Sequence, residues 1–239
     1  MRYEFTEEEL AEIKQKYPKL KQGILGRFEA WEGILDFNKS YREYPIVGNF
    51  EVKIILPDDY PSQIPWVQET GGHIEKIAGK YSITDLRDLH VNPNPKVQTV
   101  CLCVKQEEKT KFPPGSKLLD FIENLVVPYF YGISYFEENR RWPWREYSHG
   151  GLGMLEYYAE DLTEQTEESL KWLATVFTSD TNWKKYRGQV QNPKEGKVCI
   201  CGSGKPFVEC DNLAWQGLMK MHEDIRRLKL NAYKLFSKH

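Results

Sequence analysis

The chain has 239 residues, 40% of them hydrophobic and 28% charged, with a formal net charge of -2 at pH 7. That composition supplies enough apolar material for one large core or two smaller ones, and it excludes binding of nucleic acid or anionic lipid through net charge alone. No stretch approaches the roughly 20 apolar residues of a membrane span, and residues 1–10 carry acids where a secretory signal has its apolar core. The expectation is a cytoplasmic protein with neither membrane nor nucleic acid as a partner.

Thr6 followed by Glu9 reads as a capping box, and Leu10, Ile13 and Tyr17 repeat at helical spacing, so the chain opens on a helix that Pro18 closes. Residues 22–37 hold strand-like material around Ile24, Phe28, Ile34 and Phe37. A clearer strand covers 50–56, where alternation places Phe50, Val52, Ile54 and Leu56 on one core face. Pro57 ends it, Tyr60, Pro61 and Pro65 make a rigid turn, and residues 66–68 read as a further short strand. Residues 71–89 look like an irregular connection.

Residues 105–111 read as a charged loop, and 112–116 break the chain before an amphipathic helix. That helix carries Leu118, Leu119, Ile122, Leu125, Val126 and Tyr129, and Pro128 kinks or ends it. From 132 to 186 the chain reads as aromatic-rich helices elaborating the same domain. Residues 192–197 resemble a linker, with a cysteine module and one helix over about 213–236 beyond it. The expected domains are therefore 1–190 and 191–239.

Five cysteines fall into two groups, Cys101 with Cys103 and Cys199 with Cys201 and Cys210. An odd count favours metal binding or thiol chemistry over a disulfide framework. On one strand Cys101 and Cys103 would share a face, with Cα atoms about 6.5–7 Å apart, at the edge of disulfide reach. Cys101 sits in an apolar run, one polar loop after His90-Val91-Asn92. A thioester needs a thiolate at such a loop, and an ordinary thiol with pKa ~8.5 supplies a few per cent of it at pH 7. When an amine attacks the thioester, a carboxamide such as that of Asn92 can donate to the oxyanion, worth about 3 kcal/mol. The competing reading makes Cys101 and Cys103 small apolar fillers of a buried strand. A metal site of His90, Cys101 and Cys103 has no fourth ligand at a useful spacing. His90 suits a loop-bracing role better than that of a catalytic base.

Three matches make residues 1–130 similar to the ubiquitin-conjugating-enzyme (UBC) family. They are Tyr44-Pro45-Ile46-Val47-Gly48-Asn49-Phe50 with the Pro57-to-Pro65 turn, His90-Val91-Asn92 in place of His-Pro-Asn, and Val100-Cys101-Leu102 in place of Ile-Cys-Leu. The resemblance implies an α+β fold with an antiparallel sheet flanked by helices. It also implies that Cys101 is the acyl-carrying nucleophile, with Asn92 beside it. Val91, a loop one residue longer, and Cys103 where an Asp is usual are departures. The run from Cys199 through Cys201-Gly202-Ser203-Gly204 to Cys210 resembles the SEC-C motif. This implies a helical C-terminal extension carrying a cysteine knuckle, with a structural zinc held by Cys199, Cys201 and Cys210. The fourth ligand would be Asp211, which occupies the usual position, or His222; otherwise the metal is lost and only the turn survives. A phosphate loop is refused, because Cys199 and Pro206 stand where it needs glycine and Ser or Thr.

A UBC-like chain with a SEC-C-like tail is similar to the conjugating proteins of CBASS antiphage operons. That resemblance implies a thioester with the C-terminus of a cGAS-like nucleotidyltransferase or a ubiquitin-like cargo, in antiviral defence. The alternative is a catalytically silent adaptor. The run from Arg140 to Arg145, with Trp142 and Trp144, favours core packing and cation–π contacts over a single-strand nucleic-acid platform.

Overall fold

A computed structural model describes residues 3–92, 98–103, 107–148, 150–180 and 182–237. Its first element, α1 (Glu7–Lys16), is capped as the sequence predicts: Glu9 N donates to Thr6 Oγ1 at 3.2 Å and Thr6 N to Glu9 Oε2 at 2.8 Å. Ile13 and Tyr17 are buried and Leu10 packs against the same core. Four strands follow, β1 (Leu20–Leu25), β2 (Phe28–Tyr41), β3 (Tyr44–Ile55) and β4 (Trp66–Glu69), paired antiparallel in chain order.

The register sets Trp31 opposite Ile54, Leu35 opposite Phe50, and Ile54 opposite Val67, so these side chains share the buried face. Phe50, Val52, Ile54 and Leu56 are all buried, as their alternation requires. The long β2–β3 hairpin turns on Arg42 and Glu43, both at positive φ (47° and 64°), the conformation that a two-residue type I′ turn imposes. Gly48 lies opposite Phe37, and a Cβ there would stand 2.1 Å from the Phe37 ring, so only glycine lets that ring lie across the strand.

Residues 71–89 are more ordered than expected. They form α2 (His73–Tyr81), which buries Ile74, Ile77 and Ala78, and a 3₁₀ turn, Leu86–Leu89. A small hairpin of β5 (Val91–Asn92) and β6 (Thr99–Val100) comes next, then the single turn α3 (Glu108–Lys111). The predicted amphipathic helix runs through α4 (Leu118–Phe121), a π turn over Ile122–Val126, and α5 (Val127–Asn139). Pro128 lacks an N–H and crowds the carbonyl four residues back. The widened turn just before it absorbs that misfit, so the helix continues.

The chain divides into two compact units between Arg145 and Glu146, where the sequence suggested a boundary at 190/191. The second unit is helical: α6 (Gly150–Glu160), α7 (Glu167–Ser179), α8 (Trp183–Gln191), α9 (Phe207–Cys210), α10 (Asn212–Arg227) and α11 (Ala232–Leu235). Leu155, Leu170, Phe177 and Val190 share one core with Phe207 and Leu218, which is why α6–α8 belong with the cysteine module. Within the apparent linker, Lys197 Nζ donates to Gly188 O at 2.6 Å and to Asn192 O at 2.8 Å, fastening it to α8. Where α10 crosses α6, a Cβ on Gly217 would stand 1.8 Å from Leu155 O. The expected helix over 213–236 ends at Arg227. Lys229 at φ 55° turns the chain, and α11 brings Phe236 onto Phe177 and Trp183. Among the described residues no helix is long and apolar enough to cross a membrane.

Candidate functional site

In the first unit, Val91 pairs with Val100 and Asn92 with Thr99. Cys101 N donates to His90 O at 2.6 Å, carrying the pairing one residue further. Val91 and Val100 are buried. Side chains alternate along a strand, so Asn92, Thr99 and Cys101 fall on the side opposite the two valines. Asn92 is exposed and its Nδ2 donates to Thr99 Oγ1 at 3.3 Å, while Cys101 is half-buried. The intervening residues 93–97 lie outside the described residues, as do residue 104 and residues 105–106 of the expected charged loop; Glu108–Lys111 of that loop is the turn α3.

The hairpin is held by its neighbours. Tyr129 on α5 donates its buried hydroxyl to Leu89 O at 2.8 Å, and Gln68 Nε2 on β4 donates to Gln98 O at 3.2 Å. His90 sits at φ 53° with its ring edge-on to Trp142 at 4.7 Å. Trp142 in turn packs where Gly132 leaves room on α5, and the Arg140 guanidinium lies 4.8 Å from the Tyr81 ring. The Arg-Trp run is therefore used for core packing and cation–π contact. Tyr129 and Trp142 were visible in the sequence only as core residues; nothing in their spacing marks them as supports of the Cys101 hairpin.

Cys101 Sγ lies 3.7 Å from Cys103 O. Burial, reinforced by the negative charge of Glu108, raises the Cys101 thiol above its ordinary value. Cys103 is pushed up to about 12, again chiefly by burial, and packs against the core. Both thiols are thus protonated near neutrality, and a thiol at Cys101 would have to lose its proton before it could attack a carbonyl.

The second constellation belongs to the second unit. A bridge between Val198 and Pro206, with Cys199 N donating to Lys205 O (2.8 Å) and Phe207 N to Lys197 O (2.9 Å), closes a tight hairpin. Gly202 and Gly204, at φ 82° and 77°, supply its left-handed turn. Cys210 ends α9, which buried Phe207 anchors against Trp215 at 5.9 Å. The three sulfurs of Cys199, Cys201 and Cys210 lie within 4.8 Å of one another, with Cys201 and Cys210 at 3.5 Å. A tetrahedral ion with metal–sulfur bonds of about 2.3 Å needs sulfur–sulfur edges of about 3.8 Å. These thiols can therefore hold a metal ion.

Burial pushes Cys199 up to about 12. Partial burial acts the same way on Cys201, but hydrogen bonds from the Ser203 side chain and backbone, and from the neighbouring thiols, hold it at about 7. Ser203 N donates to Cys201 Sγ at 3.4 Å and Ser203 Oγ lies 3.1 Å from Cys210 Sγ. The glycines flanking Ser203 were the sequence signal for that turn, though not for the hydroxyl's contact.

Neither expected fourth ligand joins the sulfurs. Asp211 Oδ1 accepts from Ala214 N at 2.9 Å, capping α10, and its carboxyl group lies near Glu156. His222 is half-buried and its Nε2 lies 2.7 Å from Val190 O; burial lowers its pKa, so the neutral ring donates to that carbonyl. No family model, curated protein or solved structure matches this chain.

Proposed function

We propose that this chain is a UBC-like cysteine acyltransferase, in which Cys101 carries the C-terminal acyl group of a partner protein as a thioester. The observation that carries this reading is the β5–β6 register, which puts the Asn92 carboxamide and the Cys101 thiol on one side of a two-stranded hairpin. The order of helix, four-stranded antiparallel sheet, hairpin and long helix supports it.

In the loading step, Cys101 Sγ loses its proton to solvent and attacks the carbonyl of the donor thioester. The new S–C bond forms, and the donor's thiolate leaves with the electrons of the old one. In the transfer step an acceptor amine adds to that carbonyl, and the Asn92 amide donates to the oxyanion. Collapse forms the amide, expels the Cys101 thiolate and releases the amine's proton to solvent. On this reading the cargo is the C-terminus of a cGAS-like nucleotidyltransferase or a ubiquitin-like protein, the setting is antiphage defence in the cytoplasm, and zinc bound by Cys199, Cys201 and Cys210 stabilises the second unit.

The test supplies candidate cargo as a C-terminal thioester of a small thiol and reads the intact mass of the chain. A thiol-cleavable adduct is expected that survives Cys103→Ala and is lost with Cys101→Ala. An adduct indifferent to Cys101→Ala would sink the assignment. The raised thiol of Cys101 favours a second reading, a catalytically silent adaptor. That reading predicts no adduct in either variant, together with retained binding to the cargo. For the metal, mass spectrometry should find one zinc per chain, lost on Cys201→Ser.

A further inference from the structure

We infer that the metal held by Cys199, Cys201 and Cys210 takes three thiolates from this chain and a neutral, exchangeable external donor in its fourth position, a solvent molecule that imidazole displaces. The inference rests on the metal reading above and concerns the class of ligand the centre accepts.

Among the described residues, these three are the Cys, His, Asp or Glu side chains whose donor atoms gather within 4.8 Å. The two side chains best placed in sequence to complete the set are committed elsewhere. Asp211 caps α10 through the 2.9 Å bond to Ala214 N, and its carboxyl group lies near Glu156. Glu156 is itself fixed, accepting from Ser148 N at 2.6 Å and Ser148 Oγ at 2.5 Å. Freeing Asp211 would uncap a four-turn helix. His222 would have to give up its bond to Val190 O and leave its half-buried site in the packed core.

Ser203 is close, but its hydroxyl already has a role. It accepts from Lys205 N at 3.3 Å and lies 3.1 Å from Cys210 Sγ, so its proton is placed to stabilise that sulfur as a thiolate. This is a supporting contact of the kind that orients a ligand. The centre also lies at the surface: residues 201–205 are all exposed, while Cys199 anchors the far side in the core. Three thiolates on a divalent ion leave a net charge of -1. A neutral fourth donor keeps it there, whereas a carboxylate would add another negative charge beside the acidic Glu156–Asp211 pair. Sites closed by four protein ligands are structural, and sites that keep a solvent ligand exchange it.

The full chain, stripped with a chelator and reloaded with Co²⁺, gives a visible spectrum that reports its ligands. Thiolate–cobalt bands of tetrahedral type are expected, shifting saturably as imidazole is added. Asp211→Asn, which keeps a capping side chain, and His222→Asn should leave the starting spectrum unchanged. Ser203→Ala should weaken cobalt binding about 10-fold without moving the bands. A spectrum indifferent to imidazole on the unaltered chain, or bands displaced by Asp211→Asn or His222→Asn, would show that the chain supplies its own fourth ligand and overturn the inference. Failure of the unaltered chain to bind cobalt or zinc at all would instead remove the metal reading on which it stands.

Discussion

The Cys101 hairpin and the Cys199–Cys201–Cys210 cluster both gather cysteines, yet the electrostatics at Cys101 and at Cys201 run in opposite directions. Burial and the Glu108 charge keep the Cys101 proton on. Around Cys201, donors from Ser203 and the neighbouring thiols overcome the effect of burial and bring the thiol to about 7. The difference comes from which groups point at the sulfur, because an N–H or O–H aimed at a thiolate stabilises it while an apolar wall does not. Near neutrality the Cys101 thiol keeps its proton, whereas the Cys201 thiol gives its proton up readily.

The sharpest way to break that contrast is substitution of the thiols themselves. Cys101→Ala should abolish cargo adducts altogether, whereas Cys210→Ser should leave them and remove the metal, both read by mass spectrometry. If Cys210→Ser also removes the adduct, the two sites do not have separate tasks. Asn92→Ala should slow transfer of the acyl group to an amine about 100-fold while leaving loading unchanged, as followed by single-turnover decay of the thioester.

Alkylation kinetics test the protonation states directly. In metal-free protein at pH 7.5, Cys201 should react at least about 10-fold faster than Cys101, with peptide mapping by mass spectrometry as the readout. Only the thiolate reacts, so Cys101 labelling should climb as pH rises beyond the ordinary thiol range, while Cys201 labelling levels off above about 7. Equal rates at pH 7.5 would erase the distinction drawn here. The smallest effect is expected from Tyr129→Phe, which strips the Leu89 carbonyl of its partner. It should cost about 1 kcal/mol and lower Tm by about 3 °C in a thermal melt.

What could be read from the sequence was whatever local chemistry dictates. The Thr6/Glu9 capping box, the alternation from Phe50 to Leu56 and the apolar stripe from Leu118 to Tyr129 each specify their element through near neighbours, and each is present. The misses required tertiary information. Arg42-Glu43 makes a left-handed hairpin turn without the usual Asn or Gly, so the length of β2 and β3 was hidden. The helix His73–Tyr81 is short and enters through Gly72, and its first amides are capped from β4. There Glu69 Oε2 accepts from His73 N at 2.9 Å and Ile74 N at 3.3 Å, leaving only Ile74, Ile77 and Ala78 as the helix's local mark. Residues 192–197 have a linker's composition but are tied down by Lys197, while the true division at Arg145/Glu146 follows an ordinary aromatic stretch.

The sites divide in the same way. The cysteines and Asn92 could be named from local pattern, and hairpin register then relates Asn92 to Cys101. Asp211's bond to Ala214 N follows the N-cap spacing of a helix, but the bond of His222 to Val190 O joins residues that no spacing rule connects.

The Gly217 crossing has a consequence for the sulfurs some distance from it. Cys210 ends α9, and Asp211 alone separates it from the first residue of α10, so the position of the third sulfur is tied to that helix through one residue. The seating of the helix depends on Gly217 offering Leu155 O nothing larger than a hydrogen. A metal tolerates errors of only about 0.2 Å in its ligand distances. Gly217 therefore works as a gauge block: the thickness of one missing methyl group sets how α10, which starts two residues after Cys210, is seated. Gly217→Ala should degrade zinc affinity in a competition titration even though it touches no ligand.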